Sequence, residues 1–162
     1  MSQVKIPRCY FGEKELEPST IQLHGFSDAS RQAYAAAVYL RSEWDDGRVQ
    51  VELVASKTKE APLKRQSIPR LELLGTTILA RLMNTVQTSL PSEIKTFYWT
   101  DSTTALCWIT KKKSWKEYVQ HRVQEIRQLL PKKSWRYCSG PENPADQPSR
   151  GLKGNDPVSC KL

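Results

Sequence analysis

The chain has no apolar run near the roughly 18–20 residues needed to span a bilayer. Its opening, Met1-Ser2-Gln3-Val4-Lys5, carries no signal-peptide core. Both absences point to a protein kept inside the cell, not secreted, with no membrane partner. Histidine occurs only as His24 and His121, and the four cysteines, Cys9, Cys107, Cys138 and Cys160, form no Cys-x-x-Cys pair. That scatter is not a zinc-site spacing and offers no disulfide framework, so the thiols read as structural. No internal repeat or low-complexity tract interrupts the 162 residues, a length that suits one domain with a real core.

What is present is positive charge, unevenly placed. The chain carries +8, and the segment from Lys111 to Arg136 alone supplies +7, with nine basic residues against Glu117 and Glu125. Trp115, Tyr118 and Trp135 lie among them, so cations alternate with aromatic faces. Such a stripe suits a polyanionic backbone and base or sugar stacking. The competing reading is a solvated helix face with a few core aromatics.

The hydrophobic pattern gives the element order. Ile21–Asp28 and Val49–Ser56 alternate as strands, Ala33–Leu40 reads as another between them, Asp45-Asp46-Gly47 is a turn, and such tight joins predict an antiparallel meander. From Ser67, a plausible cap before Pro69, the period becomes helical through Leu71, Leu74, Ile78, Leu82 and Val86, and Pro91 ends the segment. A fourth strand over Ile94–Thr100 precedes a helix capped by Asp101 or Ser102. A longer helix runs from about Trp115 to Leu130. A short strand over Ser134–Cys138 follows, then a turn at Gly140-Pro141 and a short helix holding Asp146 and Arg150. The order β-β-β-α-β-α-α-β-α implies a mixed five-stranded sheet with helices on both faces.

Four acids occupy positions that single them out. Asp28 and Asp101 end apolar strands, Glu72 is expected in the first turn of the long helix, and Asp146 opens the last one. A carboxylate at a buried strand end is costly unless something neutralises it. Four converging carboxylates repel, and a hard divalent cation such as Mg²⁺ is the natural partner. Three have an innocent alternative, a strand-end turn acid for Asp28 and helix-dipole complementation for Glu72 and Asp146, while Phe97, Tyr98 and Trp99 leave Asp101 few.

Several stretches, in this order, resemble the ribonuclease H domain of BEL/Pao-type LTR retrotransposons. They are Phe26-Ser27-Asp28-Ala29-Ser30 with Ala33-Tyr34-Ala35-Ala36; Ala55-Ser56-Lys57 with Ala61-Pro62-Leu63-Lys64; Ile68-Pro69-Arg70-Leu71-Glu72-Leu73; Trp99-Thr100-Asp101-Ser102-Thr103 with Trp108-Ile109; and Glu142-Asn143-Pro144-Ala145-Asp146 with Ser149-Arg150-Gly151. The resemblance implies an RNase H-like three-layer α/β/α fold over residues 20–151. Residues 1–19 would be a connection from an upstream reverse transcriptase, and 152–162 a linker tail. It further implies endonucleolytic hydrolysis of the RNA strand of RNA–DNA hybrids during reverse transcription, leaving a 5′-phosphate and a 3′-hydroxyl. Asp28, Glu72, Asp101 and Asp146 would hold two Mg²⁺ ions about 4 Å apart, with Mn²⁺ as a substitute. Ser30, Arg31 and Arg70 are candidate contacts to the hybrid near the site, and Lys111, Lys112, Lys113, Trp115 and Lys116 a basic stand-in for the handle helix of some cellular relatives. The implied location is cytoplasmic, or a virus-like particle. Tyr137 stands where related elements often carry a histidine, and with a reference pKa of about 10 it is a poor proton shuttle. That departure keeps alive a catalytically weak or inactive nucleic-acid-binding remnant. A transposase- or resolvase-type nuclease acting on DNA is disfavoured by the contexts of Asp101 and Asp146.

Overall fold

A computed structural model describes residues 17–90 and 94–150. The expected tail 152–162, most of the lead-in, and the proposed stop at Pro91 lie outside the described residues. The elements are β1 (Thr20–Ala29), β2 (Ala33–Glu43), β3 (Val49–Glu60), α1 (Ile68–Thr88), β4 (Lys95–Thr100), α2 (Thr103–Thr110), α3 (Glu117–Leu129), β5 (Trp135–Tyr137) and α4 (Asp146–Arg150), in the expected order. Short 3₁₀ turns at Lys132–Ser134 and Gly140–Glu142 bracket β5. Strand order in the sheet is β3-β2-β1-β4-β5. The first three strands are antiparallel, while β4 runs parallel to both β1 and β5.

Local chemistry explains most boundaries. Gly47 has a φ of +82°, which closes the β2–β3 hairpin at no steric cost. The Asp46 carboxylate braces that turn by accepting from the Arg48 backbone N–H at 3.0 Å. β3 runs four residues past the predicted Ser56, because Lys57–Glu60 pair with Ala33–Ala36 of β2. Pairing, not propensity, decides that end. Ser67 does sit at the N-cap of α1, but its side chain makes no capping bond. The helix already includes Ile68, so Glu72 falls beyond the first turn, contrary to expectation. Dipole complementation, which fades after one turn, is therefore a weak account of that acid.

Residues opposite each other in a ladder share a face. Leu23, Val38 and Tyr98 belong to one core cluster with Leu79 and Met83 of α1, Ile109 of α2, and Val123 and Ile126 of α3. α1 approaches the sheet closely at two glycines. A Cβ at Gly25 would lie 2.7 Å from Leu79 Cδ1, and one at Gly75 would lie 2.9 Å from the Asp28 carbonyl oxygen. The second contact sets the helix backbone against the strand end that carries Asp28. On the other face, the strap from Gly140 to Arg150 crosses the sheet and ends in α4. The buried Asn143 side chain fixes it, donating to the Ser27 carbonyl at 2.9 Å and accepting from Ala145 N–H at 3.1 Å. The result is a three-layer α/β/α arrangement. No helix among the described residues is long and apolar enough to cross a membrane.

Candidate active site

The carboxyl ends of β1 and β4 lie side by side, since Ser27 pairs with Thr100 in their parallel register. Asp28 is the penultimate residue of β1, and Asp101 is the first residue after β4. Ser102, not Asp101, caps α2: its hydroxyl accepts from Ala105 N–H at 3.1 Å. That leaves the Asp101 carboxylate free to turn toward Asp28. α1 brings Glu72 in from above on its buried side, one helical turn before the close approach at Gly75.

These three acids meet. One carboxylate oxygen from each of Asp28, Glu72 and Asp101 lies within 4.8 Å of the others. Asp28 is 4% exposed and Glu72 9%. Glu72 Oε2 and Asp101 Oδ1 are buried with no hydrogen-bond partner, and such orphaned acceptors are costly unless a cation or proton meets them. Burial, reinforced by the charges of Asp101 and Asp28, pushes Glu72 up to about 8. Burial, followed by the Asp28 charge and a hydrogen bond with Asp28, pushes Asp101 up to about 6. An all-oxygen, all-anionic donor set fits a hard divalent cation such as Mg²⁺ or Mn²⁺ and no soft metal.

Asp146 occupies a different position. It lines the same open cleft of about 550 Å³, together with Ala29, Ser30, Arg31, Gln32 and Arg150. Yet it stands outside the trio, and its Oδ1 accepts from Arg150 Nε at 2.8 Å. A residue that sequence reasoning quoted only as part of a motif proves closer to the trio. Ser149 is fully buried, and its hydroxyl donates to Asp28 Oδ2 and also contacts the Asp146 carbonyl at 2.9 Å. The Ser30 hydroxyl in turn donates to the Ser149 carbonyl at 2.6 Å. Ser30 also accepts from Gln32 and Ala33 N–H groups, so its oxygen is engaged in holding the β1–β2 turn to α4.

The remaining candidates spread outward. Arg31 is exposed at the cleft wall. Arg70 lies outside the cleft lining, with its guanidinium 4.9 Å over the Tyr118 ring and Arg122 at 5.1 Å from the same ring. Lys111, Lys112, Lys113 and Lys116 are exposed between α2 and α3. Trp115 is half-buried, edge-on to Trp108 at 6.3 Å, with the Lys113 ammonium 5.5 Å above it. Arg127, counted within the basic stripe, is spent internally on the carbonyls of Trp108, Ile109 and Lys111 at the end of α2. Tyr137 is half exposed, whereas Cys138 sits where burial and the Asp101 charge push its thiol up to about 11. His24 is held away from the cleft, accepting from Trp99 Nε1–H at 3.1 Å and stacked on Phe97.

Comparison with known proteins agrees with this arrangement. Residues 1–102 match the model of the Pao retrotransposon-like RNaseH-like domain, a stretch that holds Asp28, Glu72 and Asp101 but not Asp146. No curated protein matches the chain. Among solved structures, the N-terminal RNase H domain of rv2228c from Mycobacterium tuberculosis superposes with a TM-score of 0.52 at 11% identity, covering 76% of this chain and 86% of that one. RNase H1 from Halobacterium salinarum gives 0.43 at 13% identity over 75% and 85%. The protease-reverse transcriptase of prototype foamy virus gives 0.47 at 16% identity, with 91% of this chain set against 24% of that one. With the sheet order, the acids at its carboxyl ends and a family match across more than half its length, the chain belongs to the Pao retrotransposon-like RNaseH-like domain family.

Proposed function

We propose that this domain is a divalent-metal-dependent endonuclease that hydrolyses the RNA strand of RNA–DNA hybrids in reverse transcription. The observation that carries the reading is the buried trio Asp28, Glu72 and Asp101, which lines an open cleft and keeps two buried carboxylate oxygens without hydrogen-bond partners. Asp28, Glu72 and Asp101 would hold Mg²⁺ or Mn²⁺, with Asp146 completing a second position once it leaves Arg150. Metal held by these carboxylates would supply Lewis-acid activation of the attacking water and charge stabilisation at the departing 3′-oxygen. The chain's own part is to set the trio rigidly. The two strand ends place Asp28 and Asp101, Gly75 lets α1 deliver Glu72, and Ser149 fixes one oxygen of Asp28. Arg31 on the wall and the exposed lysines between α2 and α3 would meet the phosphates, and 2′-hydroxyl contacts in the minor groove would select the RNA strand. In this reading residues 20–151 are the nuclease, 1–19 the connection from a polymerase and 152–162 a linker. A reverse transcriptase in the same polyprotein is the natural partner.

One observation favours a second reading, hybrid binding without turnover: Asp146 is tied to Arg150 and excluded from the trio. An end-labelled hybrid separates the two. Mg²⁺-dependent cutting of the RNA strand alone, abolished by EDTA and reduced at least ~100-fold by Asp101→Asn, supports the nuclease. Hybrid binding with no cutting in either Mg²⁺ or Mn²⁺ supports the second.

A further inference from the structure

The sheet face turned away from α1 is paved with rings. β1 and β4 run parallel, and their register places His24 beside Phe97 and Phe26 beside Trp99 on this face. All four side chains are partly buried. The Trp99 Nε1–H donates to His24 Nδ1 at 3.1 Å, and the two ring planes differ by only 11°. An N–H lies in the plane of its own ring, so this bond sets the two rings edge to edge as one flat surface. Phe26 lies within 12° of the Trp99 plane at 6.1 Å, and Phe97 within 24° of His24 at 5.1 Å. Because Nδ1 of His24 is an acceptor, the proton sits on Nε2, which donates to Gln22 Oε1 at 3.1 Å. Burial, then the Arg41 charge, lowers the pKa of this imidazole and keeps it neutral.

Cations border the tile on three sides. Lys95 precedes Phe97 on β4, Arg136 pairs with Trp99 on β5, and Arg41 pairs with Gln22 on β2. Arg41 is tied to Glu43 at 2.6 Å. Among the described residues neither Lys95 nor Arg136 meets a carboxylate, and Arg136 donates to the Trp135 carbonyl at 3.0 Å. Beside the tile a hollow of about 290 Å³ opens among His24, Phe26, Tyr39 and Val51, with Glu142 and Pro144 of the strap also lining it.

We propose that this face binds single-stranded nucleic acid, its unpaired bases stacking on the tile and its phosphates meeting Lys95 and Arg136. Every base offers a π face and every link a negative charge, which flat rings bordered by unneutralised cations complement. Aromatic side chains on a sheet face are a recurrent platform for unpaired bases. A duplex keeps its base faces stacked inside, so the tile discriminates against it. Holding His24 at both ring edges lowers the ordering cost of binding. A second copy of the chain fits less well, because it carries +8 and would bring like charge to this rim. The surface is distinct from the cleft. Asp28 follows Phe26 by two residues and Asp101 follows Trp99 by two, which sets the tile about 7 Å back along the same strands. The strap serves both sides, with Glu142 and Pro144 at the hollow and Asp146 and Arg150 at the cleft. The inference therefore stands whether or not the cleft cleaves.

The test uses the full chain in EDTA, so that no metal-dependent cutting intervenes. The probes are single strands of about 15 nucleotides, oligo(dT) and oligo(U), carrying photoreactive 5-iodouracil. Irradiation and mass spectrometry then map the rings in contact. Crosslinks to His24, Phe26, Phe97 or Trp99 are expected from at least one strand type, and the better-bound type identifies the source. Crosslinks found only outside this face, such as at Trp108, Trp115 or Tyr118, or none at all, would overturn the proposal. Phe97→Ser should weaken single-strand binding at least ~5-fold in high salt, where phosphate contacts are screened, and leave duplex binding unchanged. Lys95→Ala alters only an exposed side chain, so it tests the rim even where the first variant fails to fold. It should flatten the log K against log salt plot by about 0.7 at an unchanged thermal midpoint. Unaltered affinity in a folded Phe97→Ser, or an unaltered slope in Lys95→Ala, counts against the assignment. Sedimentation of the free chain supplies the last check: a dimer that Phe97→Ser dissociates would give the face to a second copy and sink the proposal.

Discussion

Glu72 carries the heaviest electrostatic load of the trio, and its consequence is a pH-dependent stability. Its carboxyl sits at about 8 in the fold against an ordinary 4.5. Between those values the folded state holds more protons than the unfolded one, so stability falls as pH rises. The stabilising proton is fully present below about 4.5 and lost as pH climbs through about 8. Thermal midpoints of the metal-free domain should therefore decline from pH 5 to 9. Glu72→Gln should flatten the slope, and saturating Mg²⁺ should reverse the loss at high pH. A second residue-scale prediction concerns Ser149. Its hydroxyl donates to Asp28 Oδ2, and a hydrogen bond to a charged acceptor contributes about 1.5–3 kcal/mol. Ser149→Ala should weaken Mg²⁺ binding roughly 10-fold by calorimetry, while Ser30→Ala, which loosens α4 but spares that hydroxyl, should leave it within about 2-fold. Asp28 and Asp101 were legible as candidates because a carboxylate closing an apolar strand is costly to leave unneutralised, whereas Glu72 and Asp146, on helices, stood out only through the motifs around them. The Ser149 bond was not legible, since it joins residues 121 apart and serine in a short helix signals nothing by itself.

At the scale of elements, the register between α1 and β1 sets the site. The Gly75 Cα lies so close to the Asp28 main chain that any side chain must push the two apart. Gly75→Val should cost about 1–3 kcal/mol in chemical denaturation, the usual range for overpacking. It should also lower cleavage more than stability alone explains, because Glu72 rides on the displaced helix. The element order was readable from period and punctuation, including the change from alternation to helical spacing after Ser67. Ends set by partners were not. β3 overran its predicted limit because β2 supplied hydrogen bonds, and the first turn of α1 began early enough to move Glu72 out of reach of the helix terminus.

Across the whole molecule the cations fall into exposed ones and ones committed to internal partners. The lysines between α2 and α3 project into solvent, while Arg127 and Arg81 are committed to an α2 terminus and to Glu125. Only the free cations should appear in the salt dependence of hybrid binding. Replacing Lys111, Lys112 and Lys113 by alanine should weaken binding and flatten the log K against log salt plot by about 2–3 units, whereas Arg127→Ala should alter stability and leave the slope unchanged. Sequence reading counted all these charges alike, since packing alone decides which of them face water. Likewise the alternation of Val49, Val51 and Leu53 announced a strand but not that its apolar side would face outward.

The bond between Ser149 and Asp28 has a meaning in time as well as in space. It joins residues 121 apart, so it closes only once the chain has been synthesised past Ser149. Long-range contacts of this kind are the slow ones to form. A partial chain ending soon after Asp101 would carry the three cluster acids without the strap that braces Asp28. On the ribosome, then, the cluster acids emerge before the residue that braces one of them.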